Sequence, residues 1–154
     1  MVIRVSDLSE DVKHVEYSEN GQALNTAIEE ASAGCDQSFE GDPRVEADLY
    51  RYGGDVHVAG KVTGRLLCTC VRCLDEFSTP LRREFRFLLI PAAERPGMEA
   101  DAGLDRYEGD EIDLGVLARE QALLALEPVT LCRQDYRGLC PGCGRNLNRE
   151  ACRC

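Results

Sequence analysis

Five of the chain's nine cysteines fall in the last 23 residues, at positions 132, 140, 143, 152 and 154. Cysteines at that density leave three readings: ligands to a metal ion, a disulfide, or idle thiols. Cys140-Pro141-Gly142-Cys143-Gly144 has the form of a knuckle. Two thiolates two residues apart grip one ion, and the glycines let the chain turn so that amides face the sulfurs. Cys152-Arg153-Cys154 offers a second close pair. Together Cys140, Cys143, Cys152 and Cys154 make the four-sulfur set that zinc takes as a tetrahedron. The alternative second pair is Cys70 and Cys73, another CxxC, set at a turn between two strand-like stretches. A redox role for Cys70 and Cys73 would require the pair to open a helix after a strand, and a strand follows instead.

Outside the tail the chain reads as one α+β body, residues 1–131, with residues 132–154 as a small cysteine-rich zinc-binding tail packed on it. Val45, Ala47 and Leu49 alternate with polar residues, and Gly53-Gly54 marks a hairpin turn. Val56, Val58, Val62 and Leu66 continue the alternation, with Gly60 and Gly64 on the apolar face, where glycine marks close packing. Phe77, Leu81, Phe85, Phe87 and Leu89 give a third strand, whose Pro80 places its first half at an edge. The expected body is an antiparallel β-meander or split barrel-like sheet covered by one main helix. That helix begins at Asp113, a good N-cap, and carries Leu114, Leu117, Ala118, Gln121, Leu124 and Ala125 at helical spacing. A short helix is expected over Leu24–Ala33 and a short strand over Val2–Val5. Residues 91–112 read as an acidic loop without period.

Charge separates the two parts. The whole chain is −10, which argues against a general affinity for nucleic acid. In the tail, however, Arg133, Arg137, Arg145, Arg149 and Arg153 stand against Asp135 and Glu150, for a net +3. A basic tail on an acidic body suits a specific contact. No apolar run is long enough for a signal peptide or a membrane span, so a cytoplasmic protein with no membrane partner is expected. Nine cysteines in a reducing compartment point to metal rather than to a disulfide frame. His14 and His57 lie among polar residues, no nucleophile has a base beside it in sequence, and no glycine-rich phosphate loop occurs. No catalytic residues are expected, and the chain is not read as an enzyme.

Three runs, taken in order, resemble the YceD family. They are Gly60 to Phe77 with Cys68-Thr69-Cys70-Val71-Arg72-Cys73 at its centre; Glu111-Ile112-Asp113-Leu114 opening a helix; and Leu131-Cys132 followed by Gly138-Leu139-Cys140-Pro141-Gly142-Cys143-Gly144-Arg145-Asn146-Leu147-Asn148. The resemblance covers about Val45 to Cys154. It implies a role in ribosome assembly and in accumulation of large-subunit ribosomal RNA, with ribosomal RNA or a precursor large subunit as partner and no known catalytic activity. The family signature has a further cysteine between the positions of Cys132 and Cys140, where this chain has Tyr136. Cys132 is therefore left out of the expected ligand set.

Two functions follow as expectations. The first is a non-enzymatic biogenesis factor that binds ribosomal RNA or a precursor particle through the zinc-stiffened tail. Arg137, Arg145 and Arg149 would contact phosphate, joined by Arg72 and Arg82 if the tail docks on the hairpin carrying Cys70. The second is a protein–protein adaptor whose acidic body binds a ribosomal protein or an enzyme.

Overall fold

The computed structural model describes residues 1–31, 36–92, 104–135 and 137–154. Among these residues eight strands and two α-helices follow one another: β1 (Val2–Arg4), β2 (Lys13–Ser18), α1 (Gly21–Ala31), β3 (Gln37–Phe39), β4 (Arg44–Tyr52), β5 (Asp55–Thr69), β6 (Glu76–Pro91), β7 (Leu104–Tyr107), β8 (Glu111–Asp113) and α2 (Leu114–Leu124). The fold is α+β, as expected. The main sheet runs in the order β2-β4-β5-β6-β7, and β3 pairs with the far end of β5 where β4 has stopped. β1 and β8 form a separate two-stranded antiparallel ribbon.

The alternation in the sequence decides which face of the sheet is buried. Val45, Ala47 and Leu49 of β4, Val56, Val58, Val62 and Leu66 of β5, and Leu81, Phe85 and Leu89 of β6 all enter one core. Gly60 lies in that row opposite Phe85. A Cβ on Gly60 would stand 2.6 Å from the Phe85 ring and 2.8 Å from the Glu46 carbonyl oxygen, so the aromatic ring occupies the space a side chain would need. Pro80 faces Arg65 on β5, and β7 meets β6 only from Leu88 onward, which leaves the first half of β6 at the edge among the described residues.

Four features differ from the sequence reading. The helical cover is double: α1 buries Leu24 and Ile28 in the same core as Leu114, Ala118 and Ala122 of α2. The α1 helix starts earlier than expected, where Asn20 accepts from the Ala23 amide at 2.9 Å; its expected end beyond Ala31 lies outside the described residues. The polar stretch from Ser6 to Gly21, whose sequence shows no decisive period and carries no expectation, contains β2, at the edge of the sheet order. The acidic stretch 91–112 contributes β7 and most of β8, and its residues 93–103 lie outside the described residues. Because β7 pairs parallel to β6, the sheet is mixed and not a pure antiparallel meander. Parallel strands are joined by connections of about a dozen residues or more, and Pro91 and Leu104 are separated by that length of sequence.

Asp113 caps α2 as expected, accepting from the amides of Gly115 and Val116 at 2.9 and 3.3 Å. No helix among the described residues is long and apolar enough to cross a membrane.

Candidate metal centres: two cysteine knuckles

The β5–β6 hairpin is in register from Val56↔Leu89 to Thr69↔Glu76, so residues 70–75 form its tip. That tip is the first knuckle. The Leu74 amide donates to the Cys70 carbonyl at 2.9 Å, and the Cys70 amide donates to the Asp75 carbonyl at 3.0 Å. Leu74 adopts a left-handed backbone, φ +60°. Seventy positions later the tail repeats the device. The Gly144 amide donates to the Cys140 carbonyl at 2.8 Å, the Cys140 amide donates to the Arg145 carbonyl at 2.8 Å, and Gly144 has φ +68°. Leu139 bridges Asn146 as Thr69 pairs with Glu76.

Each knuckle gathers its own sulfurs. Cys140, Cys143, Cys152 and Cys154 form one cluster, and Cys70, Cys73 and Cys132 form another; within each, the sulfurs lie within 4.8 Å of one another. Sulfur separations include 3.5 Å for Cys140–Cys152, 3.8 Å for Cys140–Cys154 and 3.6 Å for Cys73–Cys132. A tetrahedral ion with bonds of about 2.3 Å sets its sulfurs about 3.8 Å apart, whereas a disulfide needs about 2.05 Å. The spacing fits ligands around an ion. Either cluster has the donor set and geometry to hold a metal.

The surroundings of the sulfurs have the same sense. Amides of Cys143 and Gly142, with the Cys152 and Cys143 thiols, bring Cys140 down to about 6. Amides of Arg153 and Arg145 lower Cys143 too. At Cys70 burial opposes ionisation, yet the amides of Cys132, Arg72 and Cys73 outweigh it and hold the thiol at about 6. The last thiol in each cluster resists: burial and then the Cys70 and Cys73 sulfurs push Cys132 up to about 12, and the Cys152, Cys140 and Cys143 sulfurs push Cys154 up to about 11. Crowded thiolates repel one another, and a cation at their centre removes that repulsion while protons leave.

Two expectations about the cysteines change. Cys70 and Cys73 do not join Cys140 and Cys143; each pair lies in a separate cluster, so two groups of sulfurs could hold an ion where one was expected. Cys132, left out of the ligand set, closes the first cluster. The signal for it was in the sequence as a CxxC repeated at an offset of 70, since two copies of one knuckle each need closing ligands of their own. Tyr136, on which the exclusion of Cys132 turned, lies outside the described residues, as does Cys35.

The tail wraps the first knuckle. The Val71 amide donates to the Thr130 carbonyl at 3.1 Å, and the Leu139 amide to the Arg72 carbonyl at 2.8 Å. Asn146 and Arg149 both reach Asp75, at 3.3 and 3.0 Å. Gly138, φ +77°, packs so closely that a Cβ would stand 2.7 Å from the Arg72 carbonyl oxygen.

The five arginines expected to meet RNA are differently placed. Arg72 is exposed at the hairpin tip and donates to the Gln134 carbonyl at 3.2 Å. Arg82 pairs with Glu84 at 2.5 Å and Arg145 with Glu150 at 3.0 Å, while Arg149 pairs with Asp75. Arg137 is exposed and, among the described residues, makes no salt bridge; the same is true of Arg153. His14 bonds Asp48 at 2.7 Å on the surface, and His57 stacks on Tyr50.

A mixed sheet backed by two helices, with a hairpin tip and a tail that each fold into a cysteine knuckle, defines an α+β protein with candidate metal centres. Residues 58–154 match the family described as large ribosomal RNA subunit accumulation protein YceD, and the chain belongs to that family. The match takes in most of β5, all of β6, α2 and both cysteine clusters; β1 to β4 and α1 precede it. No curated protein and no solved structure matches the chain.

Proposed function

We propose that this protein is a non-enzymatic cytoplasmic factor for biogenesis of the large ribosomal subunit. It binds ribosomal RNA or a precursor particle through a basic tail stiffened by zinc at Cys140, Cys143, Cys152 and Cys154. The observation that carries this reading is the family match, whose span includes the whole tail. Four thiolates saturate a tetrahedral ion and leave no position for a reacting water, which suits a structural metal. Zinc is the ion that four clustered cysteine sulfurs favour. In this reading residues 132–154 act as one unit docked on the body, and they present net positive charge away from an acidic surface.

The salt bridges do not remove the arginines from contention. Arg82 and Arg149 remain about two-thirds exposed, at 64% and 69%. Exposed pairs contribute only about 0–1 kcal/mol, so phosphate can compete for them. Arg145 is 23% exposed and holds Glu150, which suits a role inside the tail. Arg137 and Arg153 are the better phosphate contacts.

The same pairing favours the adaptor as second reading, in which acidic surface meets a basic ribosomal protein and the tail arginines serve the fold. Crosslinking in cells, with sedimentation of extracts, separates the two. Ribosomal RNA crosslinks that weaken in an Arg137→Ala/Arg153→Ala variant support direct recognition. Association with precursor particles without any RNA crosslink rejects direct binding and favours the adaptor.

A further inference from the structure

The two knuckles share a backbone, but their closures differ. In the tail, Gly142 lets the Cys154 sulfur come within 2.6 Å of where a Cβ would stand. Seventy positions earlier the corresponding residue is Arg72. A side chain there fills the approach that the second cysteine of the CxC uses in the tail. The first knuckle is closed instead by one cysteine, Cys132, whose sulfur lies 3.6 Å from that of Cys73. Cys70 and Cys73 are buried and Cys132 half-buried, whereas Cys143, Cys152 and Cys154 are exposed.

We infer that Cys70, Cys73 and Cys132 form a second metal site, distinct from the tail cluster, and that its ion fastens the tail to the hairpin tip. The ligand it takes is a thiophilic divalent ion of the zinc and cadmium kind, bound through three thiolates and one further donor. On binding, the thiol protons pass to solvent and the ion gives up the waters those sulfurs replace.

The fastening role follows from where the ligands sit in the chain. Cys140, Cys143, Cys152 and Cys154 all belong to the tail, so an ion there organises only the tail. Cys132 is 59 residues from Cys73, and an ion shared by them closes a long loop that includes β6 and α2. Around that bond the hairpin tip already accepts and donates backbone hydrogen bonds to both sides of Cys132, at Thr130 and Leu139. The Thr130 hydroxyl adds a donor to the Thr69 carbonyl at 2.7 Å. An ion on Cys132 holds these contacts in place where the tail departs from the body.

Cadmium-113 exchanged into the reduced full-length protein tests this without reference to RNA, so its failure is separate from failure of the ribosomal reading. Two resonances are expected, one from a four-sulfur and one from a three-sulfur environment. Cys132→Ser erases or moves the three-sulfur signal and keeps the other; Cys152→Ser/Cys154→Ser does the reverse. Trypsin cleavage after Arg133 and Arg137 rises several-fold in Cys132→Ser and stays near wild type in the double variant. Should Cys132→Ser fail to fold, Cys73→Ser and the wild-type resonance count still decide. One cadmium per chain in the wild type, or a Cys132→Ser spectrum with both signals unmoved, overturns the second site. Two resonances with unchanged cleavage overturn the fastening.

Discussion

Leu74 and Gly144 occupy the same backbone position in two knuckles seventy residues apart, each in the left-handed region, at φ +60° and +68°. Each sends its amide to the carbonyl of the first cysteine of its CxxC. A left-handed backbone costs an L-residue about 1–2 kcal/mol, and glycine nothing. Leu74 is 63% exposed, so burial of its side chain offsets little of that cost. Glycine at 74 would relieve the strain and lose part of the gain to unfolded-chain entropy. Leu74→Gly is therefore expected to be neutral or stabilising by up to about 1 kcal/mol. Gly144→Leu should destabilise the tail knuckle by about 1–2 kcal/mol and weaken its hold on cadmium. Thermal melts and chelator competition on both variants check this; equal losses from both would show that the two positions are not equivalent.

The knuckles were legible because their spacing is chemical, while the elements around them were legible only where pattern was long. β4, β5 and β6 run for many residues with apolar side chains at every second position, and that period survives any reading. β2 offers only Val15 and Tyr17 to the interior over six residues, too few to separate a strand from a polar loop. β7 was hidden because it is four residues long and sits in acidic sequence. Cys132 was missed for a different reason. The CxxC repeated at an offset of 70 signals that a second knuckle needs closing, but which remote cysteine closes it depends on how the chain around residues 130–139 docks on the hairpin tip.

Gly60 connects sequence pattern to packing most directly. In a strand interior an alanine usually costs less than glycine, since it loses less entropy on folding. Here the added methyl would meet the Phe85 ring at 2.6 Å and a backbone carbonyl of β4 at 2.8 Å. The ring can rotate aside but the β4 carbonyl belongs to the ladder. Gly60→Ala is expected to destabilise by about 1–3 kcal/mol, the usual cost of overpacking a core. Denaturant melts read it. The double variant Gly60→Ala/Phe85→Leu should recover part of the loss; no recovery would place the clash at the backbone alone.

Asp113 gives the chain an acid-sensitive joint between the ribbon and α2. Burial works against its carboxylate, but the α-amino group of Met1 and the amides of Val116 and Gly115 outweigh burial and hold its pKa below the usual value. A depressed carboxylate contributes stability above the ordinary carboxylate range, and that contribution is lost as pH falls through the folded-state value. Asp113→Ala should cost about 1 kcal/mol near neutral pH, as loss of an N-cap does. The gap between wild type and variant should then hold down to about pH 5, begin to close as the unfolded chain takes up its proton near the ordinary carboxylate value of about 3.9, and close further as pH falls through the lower folded-state value. Asp113→Asn keeps an acceptor for the amides and should show a smaller, flatter deficit. Thermal melts across that range test the sign; a deficit that grows on acidification would contradict it.

The last prediction separates arginines that build the tail from those that, on the proposed reading, would meet phosphate. Overall charge of −10 opposes RNA, so in the proposed reading affinity has to come from a local patch and should weaken with salt. Arg145 gives its carbonyl to the Cys140 amide and its guanidinium to Glu150. Arg145→Ala is therefore expected to loosen the tail knuckle, lowering metal retention and RNA affinity together. Arg137 and Arg153 make no salt bridge among the described residues, and their removal should leave metal content unchanged. Arg137→Ala/Arg153→Ala should lower affinity for ribosomal RNA about equally across sequences, because phosphate contacts position without specifying. The slope of log affinity against log salt should become shallower by about 0.7 for each phosphate no longer neutralised on a single strand, or about 0.9 on a duplex. Binding measured over a salt series, with metal content determined on the same samples, gives both readings at once. A double variant that keeps the wild-type slope would remove these two residues from the interface. Loss of metal in that variant would show instead that they serve the knuckle.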